Sequence, residues 1–313
     1  MARLSRRMIS GASRPALPRW GLGCAPIGDL YETVDPTVAI NAVHTALALG
    51  SNLLDTAPKY GNGLSERRLG QALASVDRRE YWLSTKVGWG IAGDRAPIPA
   101  FSEGGVMRSL EGSMRRLGVD RFDIVHVHDP DDHIDQAIAE TVPTLLRLRD
   151  EGVVGAVGAG MNSDRFLAEL VRRTDLDCVL IAGRYTLLEQ GALSDLLPLC
   201  AERGVEVIAA GIFNSGLLAD PRPGAPYNYR PVPDEVLQRA LRLKEICGRH
   251  NVPLRAAALQ FPLSHPAVNT VLVGAAGPME VADNVAMAKV PLPAVLWSDL
   301  REAGLIDPRV PLP

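Results

Sequence analysis

Four polar residues in the first half of the sequence have types and spacings that suit proton-transfer chemistry on one shared surface. Asp55 ends the run Asn52-Leu53-Leu54, and Tyr60 follows it in the turn Pro58-Lys59-Tyr60-Gly61. Lys86 closes the next run, after Leu83-Ser84-Thr85, and His128 closes the one after that, after Ile124-Val125-His126-Val127. A phenol with an ordinary pKa of about 10 is a poor acid or base at neutral pH. A lysine ammonium about 4 Å away, at an effective dielectric near ~20, contributes roughly 4 kcal/mol, enough to lower that pKa by as much as about three units. Tyr60 is then the expected general acid or base, Lys86 its electrostatic partner and Asp55 the anchor of Lys86. His128 is placed to hydrogen-bond a substrate oxygen. Each residue also has a plain role open to it: a strand-end Asp caps a loop, a Tyr walls a cavity, a Lys is solvated. Those plain roles give no reason for all four to share one rim.

The elements that must position them alternate between short apolar runs and longer amphipathic stretches, the pattern of βα units around a parallel sheet. Strands are expected at 20–24, 52–55, 81–86, 124–128, 154–159, 178–182, 206–210 and 270–273. Helices are expected at 36–49, 65–73, 104–117, 134–150, 164–172, 192–203, 253–264 and 278–287. Gly50, Gly118 and Gly204 sit just past three helices, where a left-handed cap is wanted. Eight such units predict an α/β fold, a (β/α)8 TIM barrel. Two extra helices, 234–250 and 293–302, decorate it, and residues 1–313 are expected to form a single domain. In a barrel the C-terminal ends of successive strands lie side by side on the catalytic face, so the four residues must converge. The Pro- and Gly-rich stretches 88–100 and 218–233 read as long loops of the kind that serve as lids or binding loops.

Composition agrees with a large aliphatic core: 47% of residues are hydrophobic but only 5% aromatic. A formal charge of -3 provides no field to gather nucleic acid or an anionic membrane surface, which leaves a small molecule as the expected partner. Cys24, Cys178, Cys200 and Cys247 are scattered without a CxxC pair, as in a reduced compartment. Arg3, Arg6 and Arg7 are not followed by the apolar run of a signal peptide, and no stretch reaches the length of a membrane span. A cytoplasmic monomer or homodimer is expected.

The string Leu54-Asp55-Thr56-Ala57-Pro58-Lys59-Tyr60-Gly61-Asn62-Gly63-Leu64-Ser65-Glu66 resembles the signature of the aldo-keto reductase superfamily. Ser84-Thr85-Lys86 and His128 fall where that family puts its lysine and histidine. The segments Gly158-Ala159-Gly160-Met161-Asn162, Gly183-Arg184-Tyr185-Thr186-Leu187-Leu188-Glu189-Gln190 and Ala258-Leu259-Gln260-Phe261-Pro262-Leu263 are similar to one branch. That branch contains the D-threo-aldose (L-fucose) 1-dehydrogenases, plant L-galactose dehydrogenase and pyridoxal 4-dehydrogenase. The resemblance implies an NAD- or NADP-linked hydride transfer, first of all oxidation of an aldose C1 hydroxyl to a lactone. Pyridoxal oxidation and general NADPH-dependent reduction of aldehydes or ketones are the alternatives.

The same resemblance implies that Gly23, Cys24, Asn162, Gly211, Phe213, Asn214, Gly216, Gly274, Ala275, Glu280 and Asn284 hold the dinucleotide. Two positions depart from the family pattern. Ala182 stands where many members have a carboxamide-binding glutamine, and Ala210 where many have an aromatic that stacks on the nicotinamide; Phe213 and Asn162 are the candidate substitutes. Lys59 replaces the histidine usual in the sugar-oxidising branch. Gly277 and Pro278 read as a helix N-cap and first helical position, so free N–H groups face the nucleotide. Glu280 stands where many relatives carry arginine, which implies a preference for NAD, because a carboxylate repels a 2′-phosphate.

Two other classes compete. His126-Val127-His128 with Asp129, Asp131, Asp132 and His133 resembles part of a metal cluster of barrel hydrolases, but no histidine stands at the later strand ends to complete it. Period-two alternation puts His126 one layer below His128, so no metal is expected. An interaction protein of the potassium-channel β-subunit type shares the fold, but here all four polar residues are intact.

Overall fold

The computed structural model describes residues 17–92, 95–228 and 230–312. Its strands are β1 (Trp20–Gly23), β2 (Leu53–Asp55), β3 (Trp82–Ala92), β4 (Arg95–Ala100), β5 (Phe122–His128), β6 (Val154–Met161), β7 (Cys178–Ala182), β8 (Glu206–Ala210), β9 (Pro226–Tyr227), β10 (Arg230–Pro231) and β11 (Val268–Gly274). Eight of these pair in parallel in the order β2-β1-β11-β8-β7-β6-β5-β3, and a β2–β3 pairing closes the ring. This is the expected (β/α)8 barrel.

Alternation of side chains along each strand divides the apolar residues into two cores. Leu53, Trp82, Ile124, Ala156, Cys178, Leu180, Ile208 and Leu272 fill the barrel interior. The opposite faces, with Leu54, Leu83, Val125, Val157, Val179, Val207 and Val273 among them, pack against the surrounding helices. Those helices include Pro36–Ala48, Leu64–Leu73, Glu103–Leu117, Asp164–Arg173, Leu196–Arg203, Leu254–Gln260 and Pro278–Ala288, with Asp234–Arg249 and Ala294–Glu302 as the two additions. Their ends follow local chemistry. The Asp35 side chain accepts from the N–H groups of Thr37 and Val38 ahead of Pro36, and Gly118 and Gly204 take left-handed caps with φ 69°.

Three segments differ from the sequence expectation. Over 88–92 and 95–100 the chain is not a loop: β3 runs on to Ala92 and pairs antiparallel with β4, with Trp89 opposite Pro99 and Gly90 opposite Ile98. Pro97 and Pro99 argued against a strand, but among the described residues β4 has β3 as its only sheet neighbour, and an edge strand tolerates missing N–H donors. Within 218–233 a short hairpin forms, Tyr227 opposite Arg230 and Pro226 opposite Pro231. The helix expected over 134–150 is interrupted by a π-helical turn, Ala137–Thr141, just before Pro143. Proline cannot donate the next helical bond, and the widened turn accommodates it.

Candidate active site

The three strands that carry the polar residues are neighbours, as β2, β3 and β5 pair in sequence. Asp55, Lys86 and His128 share the inward parity of Leu53, Trp82 and Ile124, so all three point over the C-terminal end of the barrel interior. Lys86 is 1% exposed and fully engaged: its Nζ lies 2.6 Å from Asp55 Oδ2 and donates to the Thr56 carbonyl at 2.9 Å. The Ser84 hydroxyl donates to the other Asp55 oxygen at 2.7 Å. The Lys86 ammonium also lies 4.9 Å from the centre of the Tyr60 ring. The Tyr60 and His128 rings meet edge to face at 5.7 Å.

The turn that holds Tyr60 is pinned from beneath. Gly61 has φ 59°, and a Cβ there would fall 2.2 Å from the Gly28 carbonyl oxygen, so the two turns touch only because position 61 has no side chain. The Ser65 hydroxyl donates to the Cys24 carbonyl at 2.7 Å, and the Arg68 guanidinium reaches the carbonyls of Ile27 and Val34, both at 2.7 Å. The fully buried Glu66 accepts from Thr85, the neighbour of Lys86, and from Arg116. These bonds tie the Tyr60 turn, β3 and two helices into one block.

Electrostatics amends one expectation. Burial pushes the Tyr60 phenol up to about 12; Lys86 pulls against this, while Asp55 and Asp129 add to it. The expected lowering does not appear because burial of the phenol outweighs the pull of the ammonium, part of which the Asp55 carboxylate also offsets. Tyr60 is therefore a neutral proton donor at neutral pH. Burial opposes the charge on Lys86, but Asp55 and Tyr60 hold its pKa above the usual lysine value. Burial, with Lys86 and Lys59 nearby, holds His128 well below the usual histidine range. A neutral imidazole has one nitrogen to donate and one to accept.

His126 lies one layer below, with neither ring nitrogen hydrogen-bonded among the described residues, and burial lowers its pKa to about 4. A Cβ at Gly158 would come within 2.5 Å of its Nδ1, so that glycine makes room for the ring. Among the described residues no group of three His, Cys, Asp or Glu side chains could hold a metal ion.

Around the rest of the mouth the inward-facing strand ends are Gly160, Ala182, Ala210, Gly274 and Gly23. Three of the eight strands present chemistry, and five present nothing larger than a methyl group. A broad floor of glycines and alanines, beside a phenol and an imidazole, suits a flat ring laid against the barrel end.

A model of the aldo/keto reductase family matches residues 19–304. The chain belongs to the aldo/keto reductase family. Over 96% of its length this reductase is 40% identical to a D-threo-aldose 1-dehydrogenase of a Pseudomonas species, covering 98% of that relative. It is 35% identical to a pyridoxal 4-dehydrogenase of Microbacterium luteolum, over 97% of the chain and 98% of the relative. An aldo-keto reductase of Bacillus halodurans in its holo form superposes with a TM-score of 0.78, at 28% identity over 95% of both chains. The protein is thus an NAD(P)-dependent oxidoreductase.

Apart from Glu280, the residues expected to hold the dinucleotide in this aldo/keto reductase separate into three groups. Gly23, Gly211, Gly216 and Gly274 lie at the open rim, and Asn162 is exposed just past β6. Phe213 and Asn284 meet at a residue the sequence reading missed, Arg255. Its guanidinium sits 5.6 Å over the Phe213 ring, donates to Asn284 Oδ1 at 2.7 Å and pairs with Asp283. A stacked, hydrogen-bonded guanidinium of this kind suits a nucleotide base. Nothing in the run Leu254-Arg255-Ala256-Ala257 signals it, because the contact spans two helices.

Cys24, Ala275 and Asn214 are turned inward instead. Cys24 is fully buried, with its N–H given to the Asp55 carbonyl. The Asn214 amide accepts from Thr186 at 2.7 Å and donates to the Gly183 carbonyl at 3.2 Å, so its side chain staples the loops after β7 and β8 together. Glu280 bends back to accept the Ala276 N–H at 3.0 Å. Its carboxylate thereby occupies the N–H just ahead of the helix start.

Proposed function

We propose that the protein oxidises the C1 hydroxyl of an aldose, in its cyclic hemiacetal form, to the lactone, and prefers NAD+ to NADP+. The observation that carries this reading is the 40% identity to a D-threo-aldose 1-dehydrogenase over nearly the whole of both chains, with the tetrad Asp55, Tyr60, Lys86 and His128 assembled at the mouth. When bound, the dinucleotide accepts the hydride from C1. Tyr60, as phenolate, takes the hydroxyl proton, so the C1–O single bond becomes the lactone carbonyl. Lys86 stabilises the phenolate, Asp55 holds Lys86, and neutral His128 donates to the substrate oxygen and fixes its direction.

The five bare strand ends support the fit of a nicotinamide ring, with Asn162 and Phe213 at hand in place of the larger side chains absent at Ala182 and Ala210. Glu280 at the helix start supports NAD+, since a carboxylate beside the ribose repels a phosphate dianion. A second reading, pyridoxal oxidation, is favoured by the 35% identity to the Microbacterium enzyme, and pyridoxal as a hemiacetal carries the same reacting group. Initial rates of NAD+ and NADP+ reduction with L-fucose, D-arabinose, L-galactose and pyridoxal test both readings. The aldose reading requires the highest kcat/KM to belong to a sugar.

A further inference from the structure

Beside the tetrad stands a charged pair that the proposed chemistry leaves unused. Lys59 immediately precedes Tyr60, and Asp129 immediately follows His128. The Lys59 ammonium lies 3.0 Å from Asp129 Oδ2, and that same oxygen is 3.6 Å from His128 Nε2. Trp89, on the β3–β4 hairpin, fixes the pair from the side: Lys59 sits 4.6 Å over its ring, and its indole N–H donates to the His128 carbonyl at 2.7 Å. The Asp129 N–H is anchored to the Gly160 carbonyl at 3.0 Å. The side chains of Lys59 and Asp129 are 36% and 33% exposed, so the pair is held in place yet open to the mouth.

We infer that Lys59 and Asp129 read a hydroxyl on the carbon next to the reacting carbon, and so select polyhydroxy substrates over simple alcohols and aldehydes. The reacting oxygen must lie within hydrogen-bond reach of His128, and Asp129 Oδ2 is the next acceptor along the rim. The two oxygens of a vicinal diol lie within hydrogen-bond distance of each other. A substrate whose first oxygen meets His128 therefore brings its second to the Lys59–Asp129 pair. A carboxylate offers about four lone-pair sites and an ammonium three N–H donors, so their mutual contact leaves both able to bind one hydroxyl. Asp129 accepts the hydroxyl proton while Lys59 donates to its oxygen. A compound lacking that hydroxyl leaves the pair's desolvation by the bound substrate uncompensated.

The inference rests on the aldose reading for the identity of the substrate but not for the recognition itself, and two substrate pairs separate them. D-arabinose and 2-deoxy-D-ribose differ only by the C2 hydroxyl and are compared in oxidation with NAD+. Glycolaldehyde and propanal, in which a methyl group replaces the hydroxyl, are compared in reduction with NADH. The hydroxylated member of each pair is expected to have a kcat/KM about 10- to 100-fold higher, mainly through KM. Asp129→Asn keeps a residue that tolerates the left-handed backbone at φ 43°, and Lys59→Met keeps the length of the stem. Each is expected to bring both ratios to within about threefold of unity. A merely structural disturbance lowers both members of a pair together and leaves the ratio standing. Ratios near one in the wild type, or unchanged ratios in both variants, overturn the inference even when sugars are oxidised. Failure with both sugars, alongside a hydroxyl preference in the aldehyde pair that the variants abolish, overturns the aldose reading and sustains the inference. Absence of turnover with all four compounds overturns both.

Discussion

The Asp55 carboxylate lies 2.6 Å from the Lys86 ammonium, so the cation that faces Tyr60 reaches it already half spent on its counter-ion. Asp55→Asn leaves Lys86 buried without its counter-ion, and removal of one member of a buried pair costs about 3–5 kcal/mol. The denaturation midpoint in urea is expected to fall accordingly. Because Asp55 raises the Tyr60 pKa, the alkaline limb of the oxidation profile should also move to lower pH, although kcat drops.

Tyr60→Phe removes the proton acceptor but no group at the nucleotide rim. Oxidation kcat is expected to fall by about 100- to 10,000-fold, with the Kd for NADH, read by fluorescence titration, little changed. Retention of most of kcat would remove Tyr60 from its role.

Burial holds the Tyr60 phenol at about 12, and oxidation needs its deprotonated form. The fraction of phenolate rises tenfold per pH unit below that value. Log kcat/KM for oxidation should therefore climb with slope near one from pH 7 toward pH 10, while reduction, which uses the neutral phenol, stays flat over that range. Lys86→Met takes away the one group that pulls the phenol down, and shifts the oxidation limb further up.

Acid stability depends on the layer below. His126 has a pKa of about 4 in the folded chain, against about 6.5 unfolded, so unfolding takes up a proton anywhere between these values. The stabilisation is complete above pH 6.5 and is lost as pH falls toward 4, by up to about 3 kcal/mol. His126→Phe should flatten that limb in urea titrations at pH 4 to 7. An unchanged acid slope would assign it to other groups.

At the helix start, Glu280→Arg exchanges a repelling charge for a phosphate ligand and frees the Ala276 N–H. The ratio of kcat/KM for NAD+ to that for NADP+ should fall by about tenfold or more. Wild-type values that are equal, or that favour NADP+, would contradict the proposed preference.

The barrel and the convergence of Asp55, Lys86 and His128 were legible in the sequence because each ends a buried apolar run, where period-two alternation fixes its direction, even though β3 itself continues past Lys86 to Ala92. The β3–β4 hairpin was not, since Gly88, Gly90, Pro97 and Pro99 are loop signals that only an edge position overrides. The contact of Arg255 with Phe213 and Asn284 was hidden for a different reason: it joins segments distant in the chain and has no local pattern. The elevated Tyr60 pKa depends on how deeply the phenol is buried and on what shares Lys86, neither of which spacing reveals.

The five strand ends that present nothing larger than a methyl group, Gly160, Ala182, Ala210, Gly274 and Gly23, also bear on stereochemistry. They span one arc of the mouth, while Asp55, Lys86 and His128 occupy the other. A dihydronicotinamide resting on that arc would have one side shielded by backbone and the other turned toward the phenol. The choice between the two prochiral hydrogens on its reacting carbon would then be set less by groups that grip the ring than by the positions at which the protein has nothing larger than a methyl group to place.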